Sequence, residues 1–311
     1  MNKSCLIGFL MCSAFSLVVQ AATDGAHITK TISQIERKKG IKRTIQYRPD
    51  GNDFVCVNGK NRYTRALYGG ITDFRIETSD RPVFAAYKPK DSKHICFRLQ
   101  CGNQSIALDS LKFCEARYRA GRRTYRLTDP LLGKGELNIS VLAFPDAEGG
   151  IWRFTMKDMP EGALLHCYIS EIRAKNLSRN GDMGADRADS FDAPQLPKEQ
   201  KHYKLSLDGT TAYIVVEDQE LRLPALVEGT SLYDKSEKWR SEIESSLQIS
   251  TPDPYFNPLG GALAAAADGI WDGKIWLHGA IGWRSQLNGW RAAYIGDFIG
   301  WHDRARTHFG S

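Results

Sequence analysis

The chain has no Cys-x-x-Cys pair, no His-Glu-x-x-His, no Gly-x-Ser-x-Gly and no glycine-rich phosphate loop in its 311 residues. Each of those chemistries depends on its own spacing, so nothing here points to a zinc ribbon, a zincin, a serine-hydrolase elbow or a nucleotide cradle. No metal, flavin or nucleotide cofactor is called for. Glutamate is missing from residues 251–311. Long apolar runs are also scarce. The one there is, Leu6 to Val19, follows Lys3 and runs into Val19-Gln20-Ala21. Some fourteen positions are too few to cross a bilayer, and the pattern fits a leader cut after Ala21 or Ala22. Residues 1–22 are therefore expected to be a signal peptide and the protein to be exported, periplasmic or extracellular. Cys12 follows Met11, a poor fit to the small residue that lipid anchoring requires. No other segment reads as a membrane span.

Of seven cysteines, five lie beyond the leader: Cys56, Cys96, Cys101, Cys114 and Cys167. An odd number cannot pair completely. Each sits in an apolar, strand-like run, where a thiol behaves as a small buried hydrophobe. Mostly free thiols are expected, with Cys96–Cys101 across a turn as the one plausible bridge. Formal net charge is +6, a mild excess without any nucleic-acid motif. Basic clusters at Arg37-Lys38-Lys39, Lys42-Arg43 and Arg117 to Arg126 have two readings: a solvated strand face, or attraction for an acidic polysaccharide.

What is present, from about residue 41 to 228, is a period of two. Short runs such as Asp53 to Val57, His94 to Leu99, Lys112 to Tyr118, Thr124 to Thr128, Glu136 to Phe144 and Ala212 to Glu217 alternate and are punctuated by turn signals. Asn58-Gly59 reads as a hairpin turn, and Gly149-Gly150 as a break between strands. A dozen or more such strands predict a large antiparallel β-sandwich, mainly β, over 23–229. Residues 176–200, rich in Asn, Asp, Gly, Ser and Pro, read as a long surface loop.

After Gly229 the period lengthens. Ser231 to Leu247 carries Leu232, Trp239, Ile243 and Leu247 on one helical face, which predicts a linker helix within 230–250. Thr251-Pro252-Asp253-Pro254 stops it. A second helix is predicted from Tyr255 to Trp271, with Phe256, Leu259, Leu263 and Ile270 on a large face and Gly260, Gly261, Ala264 and Ala265 on a small one. Such a helix is built to lie between neighbours, and a helical layer outside this chain is the simpler expectation for them.

Five of the seven tryptophans fall in residues 271–311, three of them in Gly282-Trp283-Arg284, Gly289-Trp290-Arg291 and Gly300-Trp301-His302. Flat apolar faces beside guanidinium forks and carboxylates suit a sugar ring, which has a C–H face and a rim of hydroxyls. Trp283, Trp290 and Trp301 are candidate stacking platforms or core rings. Arg284 and Arg291 could clamp a carboxylated sugar or pair with Asp297 or Asp303. His302 could share a proton with a carboxylate or make a structural hydrogen bond. Glycoside hydrolysis needs two carboxyl groups. Asp303 and Asp297 are the candidates here, each with a helix-cap or ion-pair alternative. A second candidate is the loop off the sandwich with Arg62, Arg65 and Tyr68.

Thr251-Pro252-Asp253-Pro254-Tyr255, the Ala-rich helix, Trp271-Asp272, His278-Gly279-Ala280 and Gly300-Trp301-His302-Asp303-Arg304-Ala305-Arg306 resemble the opening of six-hairpin α/α-toroid glycosidases. With Asn61 to Gly69, the spelling resembles secreted Bacteroidetes proteins catalogued as domain of unknown function 4450. The resemblance implies a β-sandwich, a linker helix and, over 251–311, the first helical hairpin of an incomplete toroid whose remainder could lie on a separate chain. It implies a glycoside hydrolase acting on a carbohydrate, inactive as this portion alone. A stand-alone glycan-binding module and a polysaccharide lyase are the alternatives.

Overall fold

The computed structural model describes residues 46–88, 92–171, 202–277 and 286–310. The expected leader, the loop at 176–200, His278, Trp283 and Arg284 lie outside them. The protein is mainly β. The first strands are β1 (Arg48–Asp50), β2 (Asp53–Val57), β3 (Arg65–Tyr68), β4 (Arg75–Thr78) and β5 (Phe84–Tyr87). Then come β6 (Lys93–Cys101), β7 (Gln104–Ala107), β8 (Phe113–Arg119), β9 (Arg122–Thr128) and β10 (Glu136–Ala143). The last are β11 (Gly149–Lys157), β12 (Leu164–Glu171), β13 (Tyr203–Ser206), β14 (Thr211–Glu217) and β15 (Glu220–Arg222). Among the described residues they form two antiparallel sheets. One has the order β1-β2-β8-β9-β10-β11-β14-β15; the other runs β13-β12-β6-β5-β4-β3, with β7 beside β6.

The alternation that marks these strands in the sequence becomes the wall of the core. In β8 and β9 every second side chain is buried, because successive side chains of a strand point to opposite faces. Trp152 sits fully buried at the centre, edge-on to Phe84 at 5.7 Å and Phe97 at 6.3 Å. Phe84 also meets Tyr125 at 5.6 Å, and Phe97 meets Phe154 at 5.5 Å. Edge-to-face contacts of this kind add to the burial of the rings themselves. All five cysteines beyond the leader are free, as expected for thiols used as core filler; Cys96 and Cys101 do not bridge.

Two turn signals mean something else in three dimensions. Asn58-Gly59 does not close a hairpin. It carries the chain from β2 in one sheet to β3 in the other, with Asn58 still bonded to Cys114 through both backbone and side chain. The hairpin between β1 and β2 turns at Gly51-Asn52 instead. Gly149 and Gly150 open β11 and pair with β14. They are glycine because a Cβ at Gly149 would fall 2.4 Å from the Val216 carbonyl, not because the chain turns there.

Four helices follow among the described residues: α1 (Leu226–Ser245), α2 (Leu259–Gly269), α3 (Gln286–Phe298) and α4 (His302–Gly310). Helix α1 lies on the outer face of the eight-stranded sheet. It buries Gly229, Tyr233, Ser236 and Arg240, a stripe one residue out of phase with the apolar one read from the sequence. The sheet beneath is mixed: Tyr233 and Leu232 pack on an apolar patch of Leu142, Phe144, Ile151 and Val215, with polar contacts beside it. The Tyr233 hydroxyl bonds Ser140 at 2.7 Å, and Gly229 admits the ring of Tyr213. Arg240 is held by Glu237 and Glu244 at 2.8 and 2.7 Å.

Helix α2 is shorter than predicted, starting at Leu259 rather than Tyr255. Its small face turns towards the rest of the same chain. A Cβ at Gly260 would meet the Leu247 carbonyl, one at Gly261 would meet Glu244 and Ala120, and one at Gly269 would meet the ring of Tyr68. The expected missing layer is not needed to bury it. Its large residues, Phe256 just before the helix and Leu263 within it, stay exposed.

Candidate functional site

The segment after α2 is built around Trp276. Asp272 accepts from the amides of Lys274 and Ile275, closing a tight turn that pairs Trp271 with Trp276. The Trp276 ring is fully buried against Ala293 and Ala305. Its Nε1–H donates to the Ala267 carbonyl at 2.8 Å, and its backbone amide donates to His308 Nδ1 at 3.0 Å. The α3 backbone comes so close that a Cβ at Gly296 would lie 2.3 Å from the ring. Burial pushes the His308 imidazole below its ordinary value, and acceptance at Nδ1 requires the neutral ring.

Around this anchor the structure sorts the residues singled out from the sequence. Trp301 is half-buried, and the Arg304 guanidinium stacks over it at 4.5 Å, with Trp271 at 5.7 Å on the same cation. Arg304 Nη1 donates to Asp268 at 2.7 Å. Burial pushes the Asp268 carboxyl up, while Arg304 pulls it back. Asp268 was not among the sequence candidates; inside an Ala-rich helix nothing marks one polar residue as the tie between two helices.

Asp297 lies in the last turn of α3 and accepts from His302 Nδ1 at 2.7 Å across the break between α3 and α4. Both side chains are more than half exposed. Asp303 is almost wholly exposed and pairs with Arg306, one turn on. Arg291 stacks over the ring of its neighbour Trp290 at 5.1 Å.

Trp290 is itself exposed, and so are the residues one and two turns on, Tyr294 and Phe298. Trp290 and Tyr294 meet edge-on at 5.4 Å, and Phe309 of α4 lies 6.0 Å from Tyr294. These rings form an aromatic surface on the outside of the α3–α4 pair. Its signal was in the sequence as a spacing of four from Trp290 to Tyr294 to Phe298, overshadowed by the repeated tripeptides.

The Arg62–Gly69 segment lies apart from this surface. Arg65 stacks on Tyr47 at 4.8 Å and Tyr118 at 5.6 Å. Tyr68 packs against Gly269, and burial raises its phenol. Thr72 donates to the Gly269 carbonyl at 2.5 Å. Gly69 and Gly70 approach the carbonyls of Phe144 and Pro145 too closely for any side chain. Arg62 is half-buried at the turn before β3. The segment thus seats α2 on the sandwich. Tyr68 and Thr72 serve that joint, while Arg65 packs between Tyr47 and Tyr118.

Residues 89–217 match the family model Domain of unknown function (DUF4450). The match runs from just before β6 to the end of β14, inside the sandwich. It leaves out Asn61 to Gly69 and all four helices. No curated protein matches the chain. Among the described residues no cluster of His, Cys, Asp and Glu is disposed to hold a metal ion, and no helix is long and apolar enough to cross a membrane.

Proposed function

We propose that this is an exported carbohydrate-active protein whose helical pair forms one wall of a glycan-binding cleft in a glycoside hydrolase architecture. The observation that carries the proposal is the exposed aromatic surface of Trp290, Tyr294 and Phe309. An exposed aromatic patch of this kind marks an interaction site, and flat rings accept the C–H faces of sugars. The exposed Asp297–His302 pair and Arg291 supply hydroxyl partners at its margin. The leader-like first 22 residues support export.

The role of the helical pair in this reading is binding rather than bond cleavage. Hydrolysis needs a proton donor and a second carboxyl facing it across the scissile bond. Four carboxylates of residues 259–310 have other partners: Asp268 has Arg304, Asp272 its own turn, Asp297 His302 and Asp303 Arg306. This favours, as the second reading, a non-catalytic glycan-binding protein. Titration calorimetry with neutral hexasaccharides should show binding that Trp290→Ala weakens about tenfold or more, on the scale of a buried aromatic anchor. Undiminished binding in that variant would remove the aromatic surface from the site. Release of new reducing ends by the purified chain would return catalysis to it.

A further inference from the structure

The outer face of the eight-stranded sheet carries two rows of polar side chains that strand register sets side by side. In the first, Arg117, Thr124, Ser140 and Arg153 are successive cross-strand partners from β8 to β11. In the second, Glu115, Arg126, Asn138 and Thr155 stand in the same relation two residues along. Helix α1 crosses the adjoining part of this face. It places Tyr233 under the Arg153 guanidinium at 3.9 Å and Glu237 on Arg122 at 2.8 Å. The rows make a floor and their junction with α1 a flank, and a cavity of about 350 Å³ opens over them.

The donors on this floor are unevenly spent. Arg117 is shared among Glu115, Asp50 and Asp53, and Arg122 is held by Glu237. Arg126 reaches Glu115 and Glu136 only at 3.4 Å each, long for a charge-assisted bond. The Arg153 side chain makes no hydrogen bond to the described residues, and its buried Nε is left without an acceptor. A buried donor in that state is costly unless something accepts from it. Beside these two forks lie the Asn138 amide, the Thr155 and Thr124 hydroxyls and the Glu115 carboxylate. That mixture of donors and acceptors matches the rim of a sugar. A densely charged polyanion would meet Glu115 on the floor, and the nearby rings of Phe113 and Tyr233 are already covered by Arg126 at 4.8 Å and Arg153 at 3.9 Å.

We propose that this cavity is a subsite for an acidic oligosaccharide, with Arg153 and Arg126 taking a sugar carboxylate and Asn138, Thr155 and Glu115 taking hydroxyls. Planar guanidinium forks suit a carboxylate in two-point contact. The proposal rests on the carbohydrate reading above. It adds the charge of the ligand and a second contact surface, on the sandwich instead of the helices.

The test is calorimetry on the full chain with a galacturonate hexamer, a neutral xylose hexamer and a heparin hexasaccharide, at low and at physiological salt. The galacturonate hexamer should bind tightest, and salt should weaken it. The double variant Arg126→Gln/Arg153→Gln should lose about tenfold or more in that affinity, the scale of one or two charge-assisted bonds. Asn138→Asp, which adds repulsion without touching α1, should act in the same direction, with thermal unfolding of each variant checking that the fold survives. Equal affinity for the neutral hexamer, tighter binding of the sulfated one, or galacturonate binding indifferent to these substitutions would overturn the proposal. Trp290→Ala separates the two readings. Neutral binding lost in that variant, with galacturonate binding untouched by the sheet substitutions, leaves the aromatic surface standing alone. Galacturonate binding lost only in the sheet variants leaves the sheet subsite standing alone.

Discussion

The sandwich and the helical pair that follows it bury tryptophan in opposite economies. Trp152 lies inside a continuous cluster spanning both sheets, among Phe84, Phe97, Tyr125 and Phe154. Trp276 is equally buried, and among the described residues its cluster holds Ala293 and Ala305 besides it, with half-buried residues around them. The first region keeps its large rings in, whereas the second turns Trp290, Tyr294, Phe298 and Phe309 out. The helices are seated on the sandwich, where α2 packs on Tyr68, Ala120 and the end of α1. The difference teaches that the two regions use their rings differently: the sandwich packs them into its core, and the helical pair presents them at its surface.

Substitutions in the two anchors should make the division visible. Trp152→Ala should have the largest effect, about 3–5 kcal/mol of lost stability, as expected for a large ring removed from a packed core. Because the helices rest on the sandwich, circular dichroism should show both unfolding together at a lower temperature. Helices that keep their own melting point in this variant would break the proposed dependence. Gly296→Ala should cost less, about 1–3 kcal/mol, by driving a methyl group into the Trp276 ring. It should loosen the helical pair alone, seen as faster protease cleavage after residue 250 with the sandwich transition unmoved.

The smallest effect is one of pH. The folded-state value of His308 lies below its ordinary 6.5. As pH falls, the unfolded chain therefore takes up a proton first. The contribution of this residue is full above about pH 6.5 and declines as pH drops through that value towards the folded one. The helical pair should lose protection in acid, and His308→Gln should flatten that dependence.

Much of the sandwich could be read from the chain, because alternation over many short runs has few other meanings. Arg122 to Thr128 reads as a strand and is one, yet the same run shows where pattern ends. Arg123 faces inward, fully buried and bonded to Tyr47 and Ser79 at 2.8 Å, while Arg122 and Arg126 face out. A cluster of like charges in the sequence thus divides between the core and a binding floor. For α1 the apolar stripe was one residue out of phase, since a helix buries whatever fits its partner and the partner here joins an apolar patch to Ser140 and the ring of Tyr213. For α2 the small face was legible, but the surface it meets was not. The candidate site was the least legible part. Trp290 and His302 were identifiable from residue type alone, while Asp268, Tyr294 and Arg153 acquire a role only from neighbours far away in the sequence.

By itself the sequence determined which stretches are strands and which are helices, because a periodicity of two or of three to four is a local property of one chain segment. The tertiary structure alone decided which arginines are buried, which tryptophan is an anchor and which is surface, and which polar residues share a floor. Those outcomes depend on strand register and on what packs across from each residue, and contacts made across such distances leave no mark on the spacing of residues along the chain.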